Sequence, residues 1–75
     1  MRDYENLSGN SGVSAYEIGN GEIVVRFLDG RHYRYTAGSA GADHIATMQR
    51  LARTGRGLST YISQVVRDGY AENWR

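Results

Sequence analysis

The chain has 75 residues, which suffice for one small domain with a single hydrophobic core. It has no cysteine, which excludes a disulfide framework and a thiolate metal site, and no apolar run of the roughly 18 residues that a membrane-spanning helix needs. A net charge of +1 excludes strong long-range attraction to nucleic acids or anionic membranes. All nine cations are arginines, which fits either a recognition surface or a genome that favours arginine over lysine.

Residues 1–10 are predicted to form an N-terminal tail. Residues 1–6 have mixed charge and no apolar stretch, so they do not resemble a secretory signal. Together with the absence of cysteine, this predicts a cytoplasmic protein. The predicted domain occupies residues 11–69, and residues 70–75 are predicted to form a C-terminal tail.

The first half of the domain is predicted to be a three-stranded antiparallel meander. Asn20-Gly21 lies between alternating apolar and polar residues, a strong signal for a two-residue hairpin loop. This loop places Ile18 opposite Ile23. The first strand, starting at Val13, or the third strand is expected to be an edge of the sheet.

The second turn, around Asp29-Gly30, permits two registers that send the following side chains to opposite faces. We expect a three-residue loop with Gly30 as a bulge, which places Val25 opposite Tyr33, because a slip of one residue would bury arginines instead. In this register one face, which we call the apolar face, carries Tyr16, Ile18, Ile23, Val25, Phe27, Tyr33 and Tyr35.

The other face, which we call the polar face, carries a different set: Glu17, Val24, Arg26, His32, Arg34 and Thr36. Its two arginines and one histidine are suited to bind a phosphate through forked hydrogen bonds. The same residues also fit the ordinary solvent-exposed side of an antiparallel sheet, with Glu17 available to pair with an arginine. Both interpretations stay open at this point.

An amphipathic helix is predicted after the meander, because apolar residues recur at spacings of three and four: Ala42, Ile45, Met48, Leu51 and Ala52. Ser39 or Gly41 is expected to cap its start and Gly55 to end it. We expect Tyr33 and Tyr35 to be buried against this helix. Three arginines lie near its C-terminal end, where they also offset the helix dipole: Arg50, Arg53 and Arg56.

A second, short helix is predicted from the stripe formed by Leu58, Ile62, Val65 and Val66. Ser59 is expected to be its cap, and Asp68-Gly69 is expected to end it. The tail that follows contains Tyr70 and the single tryptophan, Trp74, which we expect to fold back over the core. The predicted fold is therefore α+β, with a meander packed on one helix and followed by another.

Four motifs follow one another within residues 13–67: Val25-Arg26-Phe27 with a turn ending at Gly30, Tyr33-Arg34-Tyr35, a helix, and Gly57-Leu58-Ser59 with Ile62 three residues on. In this order they resemble the KTSC domain, a family of short modules found alone in bacterial and phage proteins and at the C-terminus of some lysyl-tRNA synthetases. The resemblance implies a non-catalytic module, and the synthetase context implies association with nucleic acid.

Two function classes stay open. The first is weak binding of RNA, DNA or another anion through basic residues: Arg26, His32, Arg34, Arg31, Arg50, Arg53 and Arg56. The second is a protein-interaction or assembly module, such as a bacterial or phage accessory protein, that uses a sheet edge or the tail bearing Tyr70 and Trp74. No membrane partner is predicted.

The sequence predicts no enzyme. His32 and His44 lie on different predicted elements with no nucleophile motif around them, and this placement is also unsuited to a metal site. The loop Gly38-Ser39-Ala40-Gly41 lacks the lysine of a phosphate-binding P-loop. No cofactor is predicted, and the one enzyme class left open is a metal-free ribonuclease using His32, Arg34 and a tyrosine.

Overall fold

The structure is a computed structural model that describes residues 1–7, 9 and 11–75. Within these residues the strands are β1 (Arg2–Asp3), β2 (Val13–Gly19), β3 (Glu22–Phe27), β4 (His32–Thr36) and β5 (Glu72–Trp74). The helices are α1 (Ala37–Ala40), α2 (Ala42–Thr54) and α3 (Leu58–Tyr61), which continues into a π-helical turn (Ile62–Val66). The strands form one antiparallel sheet in chain order, so the predicted α+β class is confirmed.

Both predicted hairpin registers are confirmed. Ile18 pairs with Ile23 across the first turn, and Val25 pairs with Tyr33 across the second. Gly30 has a φ of 90°, the left-handed conformation that the bulged three-residue loop requires. The apolar and polar faces therefore carry the side chains that the alternation predicts.

The sheet is wider than the predicted three-stranded meander, because β1 and β5 come from the two segments that were predicted to be tails. Strands β2 and β4 are therefore interior strands, and the prediction that one of them is an edge is wrong. The added strands satisfy backbone groups that would otherwise be unpaired. Each is fixed by an adjoining hydrogen bond, from Tyr4 N to the Ser14 carbonyl at 3.0 Å and from Ala71 N to the Arg34 carbonyl at 2.7 Å.

Helix α2 ends as predicted at Gly55, which has a φ of 74° and donates its N–H to the carbonyls of Leu51 and Ala52. Its start agrees with one of the two predicted caps, because Gly41 is the N-cap of α2. Ser39 belongs to the preceding α1, where it forms a capping box with Thr36, and Gly41 precedes α2 without a side-chain cap. The hydroxyls of Thr36 and Ser39 thus link the end of β4 to the first turn of α1.

The second predicted helix is present but irregular. Gly57, rather than Ser59, precedes α3, and no side chain caps it. The wide π-helical turn keeps Ile62 and Val66 on the buried side, while Val65 is 47% exposed. Val65 therefore does not belong to the buried stripe, because the additional residue in the turn rotates it into solvent.

The helices cover the apolar face of the sheet. The core consists of Tyr4, Val13, Tyr16, Ile23, Val25, Tyr35, Ile45, Met48, Ala52, Leu58, Ile62 and Val66. Tyr35 is buried at 1% exposure, as predicted, but Tyr33 is only half-buried. Within the described residues, no helix has both the length and the apolar character needed to cross a membrane.

Candidate functional site

Arg34, in the middle of the polar face, is held between two carboxylates. Its Nη2 lies 3.0 Å from Glu22 Oε1 on β3, and its Nη1 lies 3.1 Å from Glu72 Oε1 on β5. The hydrogen bond to Glu22 is the main cause that raises the pKa of Arg34 above its usual value. The guanidinium fork is thus already occupied by acceptors of the protein itself.

Arg26 is also engaged on the polar face. Its Nε donates to Ser14 Oγ at 3.0 Å, and that hydroxyl donates to the Arg26 carbonyl at 3.1 Å. Ser14 reaches this position because the β2–β3 pairing is irregular between Val13 and Ala15. The bulge therefore turns the serine towards β3 and fixes the direction of the arginine stem.

His32 lies between Arg26 and Trp74 in the pairing of neighbouring strands. The imidazole stacks on the Trp74 indole with 5.3 Å between ring centroids and 5° between planes. Its Nδ1 is buried and has no hydrogen-bond partner among the described residues. The prediction that Trp74 folds back over the core is wrong, because its ring lies on the polar face against His32 and remains 42% exposed.

The other predicted anion-binding residues lie elsewhere. Arg31 is exposed in the β3–β4 turn, where its N–H donates to Asp29 Oδ1 at 2.9 Å. The remaining three are exposed on α2 or just after it, in the helical layer that covers the opposite side of the sheet: Arg50, Arg53 and Arg56. The structure does not bring the seven predicted residues together on one surface.

An open groove of about 360 Å³ lies where the apolar face extends beyond α2 towards the β3–β4 turn. We call it the aromatic groove. It is lined by Phe27, Asp29, Tyr33, Tyr35, Ile62, Arg67, Asp68 and Tyr70. These residues come from β3, β4, the π-helical turn and the segment that leads into β5, so the groove depends on elements from both halves of the chain.

The π-helical turn shapes one wall of the aromatic groove. Arg67 donates its N–H to the Ile62 carbonyl, five residues back, and then adopts a φ of 55° that is uncommon for a residue other than glycine. Gly69 allows a close passage, since a Cβ there would lie 3.1 Å from the Val66 carbonyl oxygen. This tight reversal places Tyr70 against the sheet just before β5 begins.

Three partly exposed rings form the floor of the aromatic groove. Phe27 meets Tyr33 edge to face, with centroids 5.5 Å apart and planes at 87°. Tyr33 meets Tyr70 in the same manner, at 5.0 Å and 71°. Tyr35 lies beneath them, 6.3 Å from Tyr70. Edge-to-face contacts of this kind stabilise the row of rings and fix its shape.

Two of the three tyrosines outside the groove are hydrogen-bonded through their hydroxyls. The hydroxyl of Tyr61 lies 2.6 Å from His44 Nδ1, and that of Tyr4 accepts from Leu58 N at 3.3 Å. The hydroxyls of Tyr33, Tyr35 and Tyr70, in contrast, make no hydrogen bond to a residue that the structure describes. Burial, followed by the neighbouring phenols, raises the pKa of Tyr35, which keeps its hydroxyl protonated.

The rim of the aromatic groove carries three charges: Asp29, Arg67 and Asp68. All three residues are exposed, and no ion pair found among the described residues involves them. The rim therefore has one net negative charge. Asp29 accepts the Arg31 N–H through Oδ1, and the remaining carboxylate oxygens of Asp29 and Asp68 are open to a basic group on a ligand.

A second depression, of about 490 Å³, lies beside β1 and β2 and is lined by polar side chains such as Arg2, Glu17 and Arg53. It lacks the row of rings that distinguishes the aromatic groove. In the described part of the chain, no three histidine or acidic side chains come together as metal ligands would. His32 lies on β4 and stacks on Trp74, whereas His44 lies on α2 and contacts Tyr61.

The sequence indicated Phe27, Tyr33 and Tyr35 as core residues, and it offered Tyr70, with Trp74, as part of a tail that could contact another protein. Tyr70 was assigned to a tail, and nothing in the spacing around Arg67 indicates a π-helical turn. The tyrosine content itself was the available signal, because six tyrosines exceed what so small a core can bury. Comparison with protein-family models, with curated proteins and with solved structures finds no match for this chain.

Proposed function

We propose that this protein is a small non-catalytic module that binds another protein through the aromatic groove. The supporting observation is an open row of rings, Phe27, Tyr33 and Tyr70, whose two phenol hydroxyls have no partner among the described residues. A pocket that combines apolar walls with a few convergent polar groups is typical of a binding site. Tyrosine is suited to such a surface, since it provides apolar area and a hydrogen bond with little loss of side-chain entropy.

The distribution of charge supports a protein ligand over a nucleic acid. A nucleic-acid surface needs several cations along one path, because phosphate contacts supply most of the affinity. Here Arg34 is paired with Glu22 and Glu72, and the helical arginines lie on the other side of the sheet. A cytoplasmic role and membership of the KTSC family remain part of this proposal, the latter on the strength of the motifs quoted above.

Selection from a random peptide library displayed on phage tests the proposed function. Synthetic copies of the selected peptides are titrated into ¹⁵N-labelled protein, and we expect the amide signals of Tyr33, Gly69 and Tyr70 to shift. Tyr70→Ala is expected to weaken binding at least tenfold, as truncation of a central aromatic contact does. Trp74→Ala is the matched control, because it removes an aromatic ring from the opposite face of the sheet.

Folding of each variant is checked first by its amide spectrum. Failure to select any peptide, or selected peptides whose shifts fall outside the aromatic groove, would contradict the proposed function. Equal loss of binding in Tyr70→Ala and Trp74→Ala would also contradict it, because the two rings face different sides of the sheet.

One observation favours a second candidate, nucleic-acid association on the polar face. Trp74 stacks on His32 at the edge strand β5 and remains partly exposed. Arg26 pairs with His32 across β3 and β4, and Arg31 directly precedes His32 in the chain. A base stacked on an indole ring contributes about 1–3 kcal/mol in single-strand binding. This arrangement replaces the predicted anion site of Arg26, His32 and Arg34, in which Arg34 is already paired.

The intrinsic fluorescence of Trp74 tests the second candidate directly, since the chain has a single tryptophan. Short single-stranded RNA is expected to quench it at about 50 mM salt and much less at about 200 mM. The variant with Arg26→Gln and Arg31→Gln should lose the effect, and the variant with Arg50→Gln and Arg53→Gln should keep it. Quenching that depends on the helical arginines instead would overturn this candidate.

A further inference from the structure

We infer that the aromatic groove takes a proline-rich peptide in the polyproline II conformation with a basic residue beside it. This inference rests on the proposed function and names the ligand for that site. It follows from three properties of the aromatic groove: the spacing of its rings, its hydroxyl groups without partners, and the net charge of its rim.

The ring spacing excludes an aromatic cage around an ammonium group. A cage for a quaternary or methylated ammonium needs rings that stand apart around the cation. Phe27, Tyr33 and Tyr70 are instead in direct edge-to-face contact at 5.5 and 5.0 Å, so no cation fits between them. Perpendicular neighbouring rings give a ridged apolar floor, and the shallow hollows between ridges are suited to compact rings such as that of proline.

The length of the floor also agrees with such a ligand. The row of rings spans two centroid spacings, of 5.5 and 5.0 Å. Its length is therefore at most about that of one polyproline II turn, which rises roughly 9 Å. A polyproline II segment is already extended before binding, so it loses little entropy on a small surface. The contacts available in a groove of this size compensate less well for the entropy that a flexible peptide loses when it becomes ordered.

The hydroxyls of Tyr33 and Tyr70 supply polar contacts that match this backbone. A polyproline II segment makes no internal hydrogen bonds, so its carbonyl groups are free to accept. Each of the two hydroxyls can donate one hydrogen bond, and neither has an acceptor among the described residues. A proline-rich ligand has few N–H groups to satisfy, and the floor of the groove offers them few acceptors in return.

The rim determines the charge of the flanking residue. Asp29 and Asp68 outnumber Arg67, so an arginine or lysine beside the prolines is favoured and an acidic residue is repelled. None of the 75 residues is proline, so the ligand is not a segment of this sequence. A second copy of this sequence is excluded as a source for the same reason.

The test uses three labelled peptides and the intact chain. The first contains repeated Pro-x-x-Pro motifs with an arginine at one end, the second has alanine at each proline, and the third has glutamate in place of the arginine. Fluorescence anisotropy measures the affinities, and amide shifts locate the site. We expect the first peptide to bind at least tenfold more tightly than either of the others.

Variants of the protein sharpen this test. The variant with Tyr33→Phe and Tyr70→Phe retains every ring and is expected to bind the first peptide several-fold more weakly. The variant with Asp29→Asn and Asp68→Asn should remove the preference for arginine over glutamate while retaining the preference for proline. Trp74→Ala should leave all three affinities unchanged.

The outcomes separate the two proposals. If library-selected peptides without proline bind in the aromatic groove and the proline-rich peptide does not, this inference is overturned and the proposed function stands. If no peptide of either kind shifts groove amides, both fail. Self-association in sedimentation that is lost in Tyr70→Ala would also overturn the inference, because it would assign the groove to a second copy.

Discussion

The two faces of the sheet differ from what their residue types suggest, and they differ in opposite directions. The polar face has the residue types of an anion site, yet Arg34 is paired with Glu22 and Glu72, and His32 is covered by Trp74. The apolar face has the residue types of a core, yet it extends past the helices and leaves Tyr33 partly exposed. Residue type alone therefore does not show which face can bind a ligand. The hydroxyls without partners among the described residues belong to tyrosines of the apolar face, whereas Arg34 of the polar face is already paired.

The first prediction compares two tyrosines of β4 that point to the same face. Tyr35→Ala removes a ring buried at 1% exposure and is expected to lower the free energy of unfolding by about 3–5 kcal/mol. Tyr33→Ala removes a half-buried ring and should cost clearly less, because the groove is already open to water beside it. Urea denaturation of both variants measures the difference.

Equal losses in the two variants would break the comparison between a closed core and an open groove. Such a result would mean that Tyr33 is as deeply packed as Tyr35 in solution. The Tyr33→Phe variant serves as the control, because it keeps the ring and removes only the hydroxyl.

The second prediction uses the raised pKa of Tyr35. Above about pH 10 the phenol of the unfolded chain ionises, whereas burial keeps the folded one protonated. The unfolded state then binds fewer protons, so stability falls as pH rises by up to about 1.4 kcal/mol per pH unit. In Tyr35→Phe this loss of stability above about pH 10 should be absent. Near neutrality the phenol is protonated in both states, so its ionisation should not affect the stability of either protein. Urea midpoints of both proteins, measured at neutral and alkaline pH, give the comparison, and an unchanged alkaline slope in Tyr35→Phe would contradict it.

The sequence was sufficient to predict what short-range rules control. Turn chemistry at Asn20-Gly21 and Gly30 determined both hairpin registers, and therefore the composition of each face. Periodicity predicted α2, and Gly55 predicted where it ends. These features depend on the conformational freedom of glycine and on the burial of one face, both of which are local properties.

Longer-range features were not predictable in the same way. Strands β1 and β5 are short, and β5 pairs with β4 although Glu72 and Arg34 are far apart in sequence. Such strands are selected by the unpaired backbone of β2 and β4 and not by their own pattern. The π-helical turn could not be predicted from the sequence either. Val65 and Val66 are both valine, so the pattern does not show that only Val66 is buried.

The third prediction tests how firmly β5 covers the polar face. Trp74→Ala removes the stack on His32 and is expected to cost on the order of 1 kcal/mol, the scale of an aromatic pair. The effect should be confined to β5, so hydrogen exchange within Glu72–Trp74 should accelerate, while Ala71, which donates to the Arg34 carbonyl, and Val25 stay protected. Unchanged exchange within β5 would show that the indole does not hold the edge strand in place.

The smallest expected effect comes from the ion pairs of Arg34. Glu72→Gln removes one carboxylate from the exposed end of the network, whereas Glu22→Gln removes the partner that is hydrogen-bonded to both Nε and Nη2. Pairs near the surface contribute little and are screened by salt, so both losses should be below that of Trp74→Ala and should shrink at about 1 M salt. Glu22→Gln is expected to have the larger effect, and thermal melting at low and high salt measures both. The contrary result would be that Glu72→Gln binds short RNA, measured by anisotropy at low salt. In that case only the carboxylates of the protein would keep Arg34 from binding an anion, and the difference between the two faces would depend on one residue of β5.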